Sequence, residues 1–358
     1  MLLKVGENHV QKFRIASVKY IFNTFLFILG LSYWCSGQDR ELSLGFKDYY
    51  PIHSKPNIGY LSSMNEFEDI IFDAKPVVYY SFWNNMQERI KELSNRQANA
   101  IYVLFLPHLR MYNEASLPVK TPSYKAGLGW QQLRKLENDD FFSFAVESGH
   151  YSNGQSGCAF ARRLVDGTLE CNAVLSTIDL QSNLSQLLNR SNGNFSTNWT
   201  KASLNYRINT FRSNGRPRVA HSVSASWELY HRRLLGLIDI GGYSDFDINI
   251  YGRNRFKVGY EFVHTYNGGI RYSAACNFTY INKPHPWVEP WRFEATGILY
   301  LGNKDFGIYG TYIRGHDNYN YRFVDSGEQF GIGIVWDWFA PVDRASGKLL
   351  DRKEEVQR

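Results

Sequence analysis

The sequence predicts an all-β protein, and specifically an antiparallel transmembrane β-barrel. Three observations predict it. Among 358 residues there are 24 Tyr, 24 Phe and 9 Trp, set in short aromatic and β-branched alternations that suit strands rather than a helical bundle. After Trp34 no apolar run is long enough for a transmembrane helix, so a membrane-embedded form must be a closed barrel. The last run alternates by size. Phe330, Ile332, Ile334, Trp336 and Trp338 share one face, and Gly331, Gly333, Val335 and Asp337 share the other. Large apolar side chains opposite small or polar ones match a strand between lipid and lumen.

The N-terminus reads as an address. Lys4, Lys12, Arg14 and Lys19 precede an apolar run from Tyr20 to Trp34, followed by the small residues Ser36 and Gly37. Residues 1–37 are expected to be a secretory signal peptide, cleaved after Gly37. A lipoprotein signal on Cys35 is disfavoured by the bulky Tyr33 and Trp34. A retained anchor is disfavoured by Asn23 and Thr24, which interrupt the run. Residues 38–340 are then the barrel, with room for roughly ten to fourteen strands. Leu42–Tyr50 reads as an arm or first strand, and Asn85–Gln97 as a polar loop.

From Ala98 the rhythm is clearer. Strands are expected at Ala98–Met111 (with Pro107 weakening its middle), Tyr124–Leu133 and Phe141–Tyr151. Residues 156–193 break the alternation with Gly, Ser and Asn, and are read as a long extramembrane insertion with a short helix within Thr177–Leu188. Strands resume at Asn198–Thr210, Arg218–Tyr230, Arg232–Tyr243, Phe256–Tyr266, Ile270–Ile281, Arg292–Leu301 and Phe306–Arg314. Asn267-Gly268-Gly269 marks a tight hairpin turn. Residues 341–358 form a charged periplasmic tail. In an exported chain Cys158 and Cys171 are a candidate loop disulfide, and Cys276 a small buried or lipid-facing residue.

Within Glu147–Gly154 the core is His150-x-Ser152-Asn153-Gly154. On a strand, His150 and Ser152 point to the same face, with Cα atoms roughly 7 Å apart. That spacing suits an imidazole taking a proton from a hydroxyl. Asn153-Gly154 is a turn signal, so the pair sits at a strand end. Taken alone, His-x-Ser is also the pattern of two solvated strand residues.

This segment resembles the active-site segment of the outer-membrane phospholipase A family. Two further stretches carry the resemblance: Pro122-Ser-Tyr-Lys-Ala-Gly-Leu-Gly-Trp130, and Tyr309-Gly-Thr-Tyr-Ile-Arg-Gly-His-Asp-Asn-Tyr-Asn-Tyr321 with Gly331-Ile-Gly-Ile334. The resemblance implies a barrel of about 12 strands in the Gram-negative outer membrane. It also implies hydrolysis of phospholipid acyl esters, calcium as cofactor and a homodimer when active. Ser152 is then the nucleophile, His150 the general base, and Gly154 an oxyanion-stabilising glycine. Asn198, in Phe195-Ser-Thr-Asn-Trp-Thr, orients the imidazole, with Asn194 and Asn192 as fallbacks. Calcium would be held by oxygen, from Ser116, the Gln155 carbonyl and Asn194. Asn194 stands where the family has serine, and the insertion separates Ser152 from Asn198 more than is usual.

Other residues have plainer readings. The net charge of +6 is spread along the chain, so nucleic-acid binding is not expected. The Asn-x-Ser/Thr triplets at Asn183, Asn189, Asn194, Asn198 and Asn277 have no meaning as glycan sites in a bacterial outer-membrane protein. Asp245 and Asp247 are read as solvated loop carboxylates, His285 as a turn residue, and His264 and His316 as interface or loop residues. The competing functions are a non-catalytic barrel acting as a channel or structural protein, and a soluble β-sandwich binding protein.

Overall fold

The computed structural model describes residues 54–64, 68–85, 97–113, 119–120, 122–136, 140–211, 217–235, 237–239, 241–266, 270–300 and 306–336. The expected signal peptide, the Leu42–Tyr50 arm, most of the 85–97 loop, the Asn267–Gly269 turn, Ser116 and the 341–358 tail lie outside these residues.

The strands are β1 (Asn57–Ser63), β2 (Ile70–Lys75), β3 (Val78–Asn84), β4 (Gln97–Tyr112), β5 (Ser123–Lys135), β6 (Phe141–Ser152) and β7 (Ser196–Phe211). They continue with β8 (Pro217–His231), β9 (Asn254–Thr265), β10 (Arg271–Asn282), β11 (Trp291–Tyr300), β12 (Phe306–His316) and β13 (Ser326–Trp336). From β3 to β13 each strand pairs antiparallel with the next, β13 pairs with β1, β1 with β2, and β2 with β4, which closes the sheet. β2 and β3 line the same edge of β4 in one continuous register, with Ala74 opposite Leu109 and Val78 opposite Phe105. That register sets Pro76 opposite Pro107. Neither proline has an N–H for the ladder, so one wall strand is recorded as two. The wall is therefore a closed barrel of 12 strands.

Closure removes every sheet edge, and alternation gives the barrel two faces. Outward stand Ile101, Val103 and Phe105 on β4, Leu204, Tyr206 and Ile208 on β7, and Phe256, Val258 and Tyr260 on β9, all exposed. On β13 Phe330 and Ile332 face out and Val335 in, as the alternation predicts. Cys276 is also outward. Inward stand polar and charged groups. Glu147 accepts from Tyr102 at 2.9 Å and pairs with Lys201, Lys125 pairs with Glu228, and Asp73 is held by Lys75, His108 and Arg110. Lys55, just ahead of β1, reaches Glu261 on β9 across the lumen. An apolar outer wall around a polar interior is how a chain satisfies its backbone in lipid without helices. This is the architecture of an outer-membrane-type β-barrel.

The two longest connections, β6–β7 and β8–β9, leave from the same rim, so that rim is extracellular. Residues 153–195 fold over that rim with α1 (Leu169–Leu175) and α2 (Leu184–Leu187), N-capped by Thr168 and Asn183. A Cys158–Cys171 disulfide staples the segment. Arg190 and Ser185 bind Asp325, and the Asp179 carbonyl meets His285 Nε2 at 2.7 Å. Phe160, Leu184, Leu188 and Phe195 join Tyr251, Phe323 and Val324 in one buried cluster across the mouth.

Two expectations need correction. Arg232–Tyr243 is not a strand: it is a looped excursion, followed by the helix α3 (Asp245–Tyr251). Asp247 is not a free loop carboxylate but closes a capping box with Ser244, from whose backbone N–H it accepts. α1 was also not expected. Within Thr177–Leu188 only Leu184–Leu187 is α-helical.

The two-faced wall sets one expected outcome. Leu204 lies midway along β7 and is 44% exposed. Leu204→Arg should destabilise the barrel by about 2–4 kcal/mol in phospholipid vesicles, read from urea unfolding, whereas Leu204→Phe should change it little.

Candidate active site on the outer wall

On β6 burial alternates strictly: Phe141, Ser143, Ala145, Glu147, Gly149 and Tyr151 face the lumen, and Phe142, Phe144, Val146, Ser148, His150 and Ser152 face out. His150 and Ser152 therefore share the lipid side of the wall, at the extracellular end of the strand. Gly149, on the lumen side, pairs with Gly127, and a side chain at Gly149 would strike the Ala126 carbonyl. Glycine there lets β5 and β6 stay paired directly beside the imidazole.

The ladder brings the next residue in. His150 stands directly opposite Asn198 on β7, and Ser152 opposite Ser196. His150 Nδ1 lies 3.0 Å from Asn198 Oδ1. The other end of that carboxamide is committed, because Asn198 Nδ2 donates to the Arg232 carbonyl at 2.6 Å. This settles which atom of the amide meets the ring. An oxygen can only accept, so Nδ1 must carry a proton, and in the neutral ring the lone pair is then on Nε2. Asn198 is fully buried although its strand position faces outward. The excursion after β8 covers it: Ser196 Oγ donates to the Gly241 carbonyl, and Gly241 sits beside His150 Cε1.

Ser152 Oγ makes no hydrogen bond among the described residues and stands next to Tyr124 of β5. Just past it the chain turns. Asn153 is buried and ties β6 to the start of β7, donating to the Gly193 carbonyl at 2.7 Å and accepting from Phe195 N and Gln155 N. Gly154 follows with φ +66°, in the left-handed region that glycine adopts freely. Its exposed N–H donates to no backbone acceptor among the described residues.

Of the expected calcium ligands, Asn194 and Gln155 follow Ser152 in the described residues. Asn194 Nδ2 donates to Asp166 at 2.7 Å, and Ser116 lies outside the described residues. Among those residues no group of three or more His, Cys, Asp or Glu is placed to hold a metal. The fallback Asn192 is engaged with Asn189 in the insertion, away from the ring.

No protein-family model and no curated protein matches the sequence. Solved barrels do. The chain is similar to outer membrane phospholipase A from Escherichia coli, at 12% identity and TM-score 0.48, over 80% of this chain and 93% of that one. It is similar also to the Salmonella typhi outer membrane phospholipase dimer with bound calcium, at 11% identity and TM-score 0.46, over 80% and 93%. An outer membrane channel from Pseudomonas putida is similar too, at 10% identity and TM-score 0.41, over 84% and 99%. At these identities the likeness is one of barrel architecture, which an enzyme and a channel share, so function has to be argued from this chain's own side chains.

Sequence reasoning missed three neighbours on the same wall. Ser148, Thr200 and His231 form a hydrogen-bonded row: Ser148 Oγ to Thr200 Oγ1 at 3.0 Å, and Thr200 Oγ1 to His231 Nε2 at 2.9 Å. His231 Nδ1 meets the Arg233 carbonyl at 2.7 Å. Outward polar positions on three adjacent strands are a signal in an otherwise apolar wall, but only the register shows that they align.

The tautomer argument is directly testable. The ¹⁵N spectrum of histidine-labelled protein, with His150 assigned by its loss in His150→Gln, should show a neutral ring protonated at Nδ1. Asn198→Ala should move that population toward the Nε2–H form. An unchanged tautomer would mean that Asn198 does not orient the ring.

Proposed function

We propose that this chain is an outer-membrane phospholipase A, hydrolysing acyl esters of phospholipids that lie against its outer wall. The observation that carries the reading is the His150–Asn198–Arg232 carbonyl chain. It leaves a basic imidazole nitrogen on the lipid face, one alternation away from an unbonded serine hydroxyl.

In this reading Ser152 Oγ attacks the ester carbonyl of a lipid in the outer leaflet while His150 Nε2 accepts its proton. Asn198 Oδ1 accepts from Nδ1–H and steadies the imidazolium, less strongly than a carboxylate would. The Gly154 N–H is available to the tetrahedral oxyanion. Collapse passes the proton from His150 to the leaving alkoxide, releases the lysophospholipid and leaves an acyl-Ser152. Water, deprotonated by His150, then frees the fatty acid. Phe105, Tyr124 and Leu128 are exposed on the wall beside the pair and give the acyl chain an apolar surface. Calcium dependence and the homodimer belong to the same reading through the family resemblance alone.

A channel on the same scaffold is the second reading, and the polar lumen favours it: Lys257 on β9 is solvent-exposed although it alternates with outward Phe256 and Val258. Against it stands the buried cluster across the extracellular mouth.

Ser152→Ala and His150→Ala should each lower fatty-acid release from mixed micelles by at least about a thousandfold, and Asn198→Ala by about a hundredfold, while the folded barrel persists on unheated gels. Wild-type protein that releases no fatty acid, with calcium or with chelator, yet conducts ions in planar bilayers, would replace this function with the channel.

A further inference from the structure

The excursion between β8 and α3, Arg232–Tyr243, has features that neither the barrel nor the catalytic pair uses. It leaves the wall sideways. Its base is bound to outward positions of β7, through the Arg232 carbonyl on Asn198 and the Gly241 carbonyl on Ser196. Leu234 and Ile238 then bond to each other in both directions, Leu234 N to Ile238 O at 2.7 Å and Ile238 N to Leu234 O at 3.0 Å, which folds the segment into a tight hairpin. The tip presents Leu235, Leu237 and Ile238, which are 50%, 82% and 49% exposed. Leu235 holds φ +53°, a conformation that costs a non-glycine residue roughly 1–2 kcal/mol. The leucine side chain there is half exposed and belongs to none of the buried clusters among the described residues.

The flanks are basic. Arg232, Arg233 and Arg253 are all exposed. One acid answers them: Asp239 pairs with Arg232 at 3.3 Å, with both side chains largely exposed, which is a weak pairing in water. Arg233 and Arg253 have no ion-pair partner among the described residues. Exposed leucines ringed by arginines would be an aggregation risk in water. Here the surface is continuous with a wall that already faces lipid, at the extracellular rim where headgroups lie.

We propose that this hairpin is a lipid-docking element. Its leucine tip enters the acyl layer of the outer leaflet, and Arg232, Arg233 and Arg253 meet the phosphates of the lipid headgroups. The occupant is the bilayer itself, chosen because the patch continues the lipid-facing wall and because its charge is complementary to phosphate. In combination with the proposed ester hydrolysis, on which this consequence rests, the hairpin holds lipids beside His150 and Ser152. The residue that opens the hairpin also supplies the carbonyl that sets the Asn198 amide.

The test uses the full chain refolded in phosphatidylethanolamine–phosphatidylglycerol vesicles. A Cys35→Ser, Cys276→Ser background leaves only the disulfide cysteines, and a nitroxide is attached at Leu237→Cys. Matching labels at Leu204→Cys on the wall and Leu180→Cys in the exposed insertion serve as references. Collision with oxygen should exceed collision with a water-soluble nickel chelate several-fold at 237, as at 204, and the reverse should hold at 180. A label at 237 that behaves like the one at 180 overturns the proposal. So does a label shielded from both agents and dipolar-coupled to a second label, which would assign the patch to another copy of the chain. In a second measurement, Leu237→Asp should lower the ratio of the rate on vesicle phospholipid to the rate on a water-soluble short-chain ester about tenfold or more. An unchanged ratio overturns the docking role. Wild-type protein that cleaves neither ester would sink the enzymatic reading, while the nitroxide data would still decide where the hairpin sits.

Discussion

The site depends on the register between β6 and β7. Strand side chains alternate with a period of two, so a slip of one residue would turn His150 and Ser152 into the lumen and bring lumen residues to the lipid. The observed register sets His150 opposite Asn198 on the outward face. Everything proposed about the pair follows from that one alignment: the amide within reach of the ring, the tautomer, and the free Nε2. The lumen groups reinforce the same alignment. Glu147 and Lys201, opposite each other on these two strands, form an ion pair on the inner face, which a slip would break.

The ends of the two strands are also secured. Between Ser152 and Ser196 the chain makes a long detour, yet Asn153 closes it at once by bonding to the backbone of Gly193 and Phe195. The detour is a compact body with its own disulfide and two capped helical turns, docked on the mouth through Asp325 and His285. Its size therefore places no strain on the Ser152–Asn198 relation. The insertion is built on the other side of the Asn153 clamp, over the lumen, while His150 and Ser152 face outward.

The misread elements share one physical cause. In water, a short apolar run signals burial, and burial with alternation signals a strand. In a protein whose outer surface meets hydrocarbon, apolar residues are as stable at an exposed loop tip as on a wall strand. Arg232–Tyr243 was read as a strand because Leu234, Leu235, Leu237 and Ile238 carry that pattern, although they form a hairpin outside the wall. The converse case is β2 and β3. Pro76 and Pro107 face each other and interrupt the ladder, so the region before Ala98 showed too little regular alternation to be read, yet it completes the barrel.

The sequence by itself determined the class of fold and the face on which the pair would stand. Two-residue alternation without a long apolar run allows a membrane protein only one architecture, and it sets the faces of β6 and β13 without reference to any other strand. It also marked Asn198 as a partner, through the family resemblance. Tertiary structure decided what no local pattern encodes: that the Asn198 amide is fixed end-on by the Arg232 carbonyl, that the Asn194 amide nitrogen meets Asp166, and that the excursion after β8 bonds back to Ser196 and Asn198. Each of these depends on where distant segments meet. A hydrogen-bonding side chain shows in its sequence that it needs a partner, but only the folded chain chooses which one it gets.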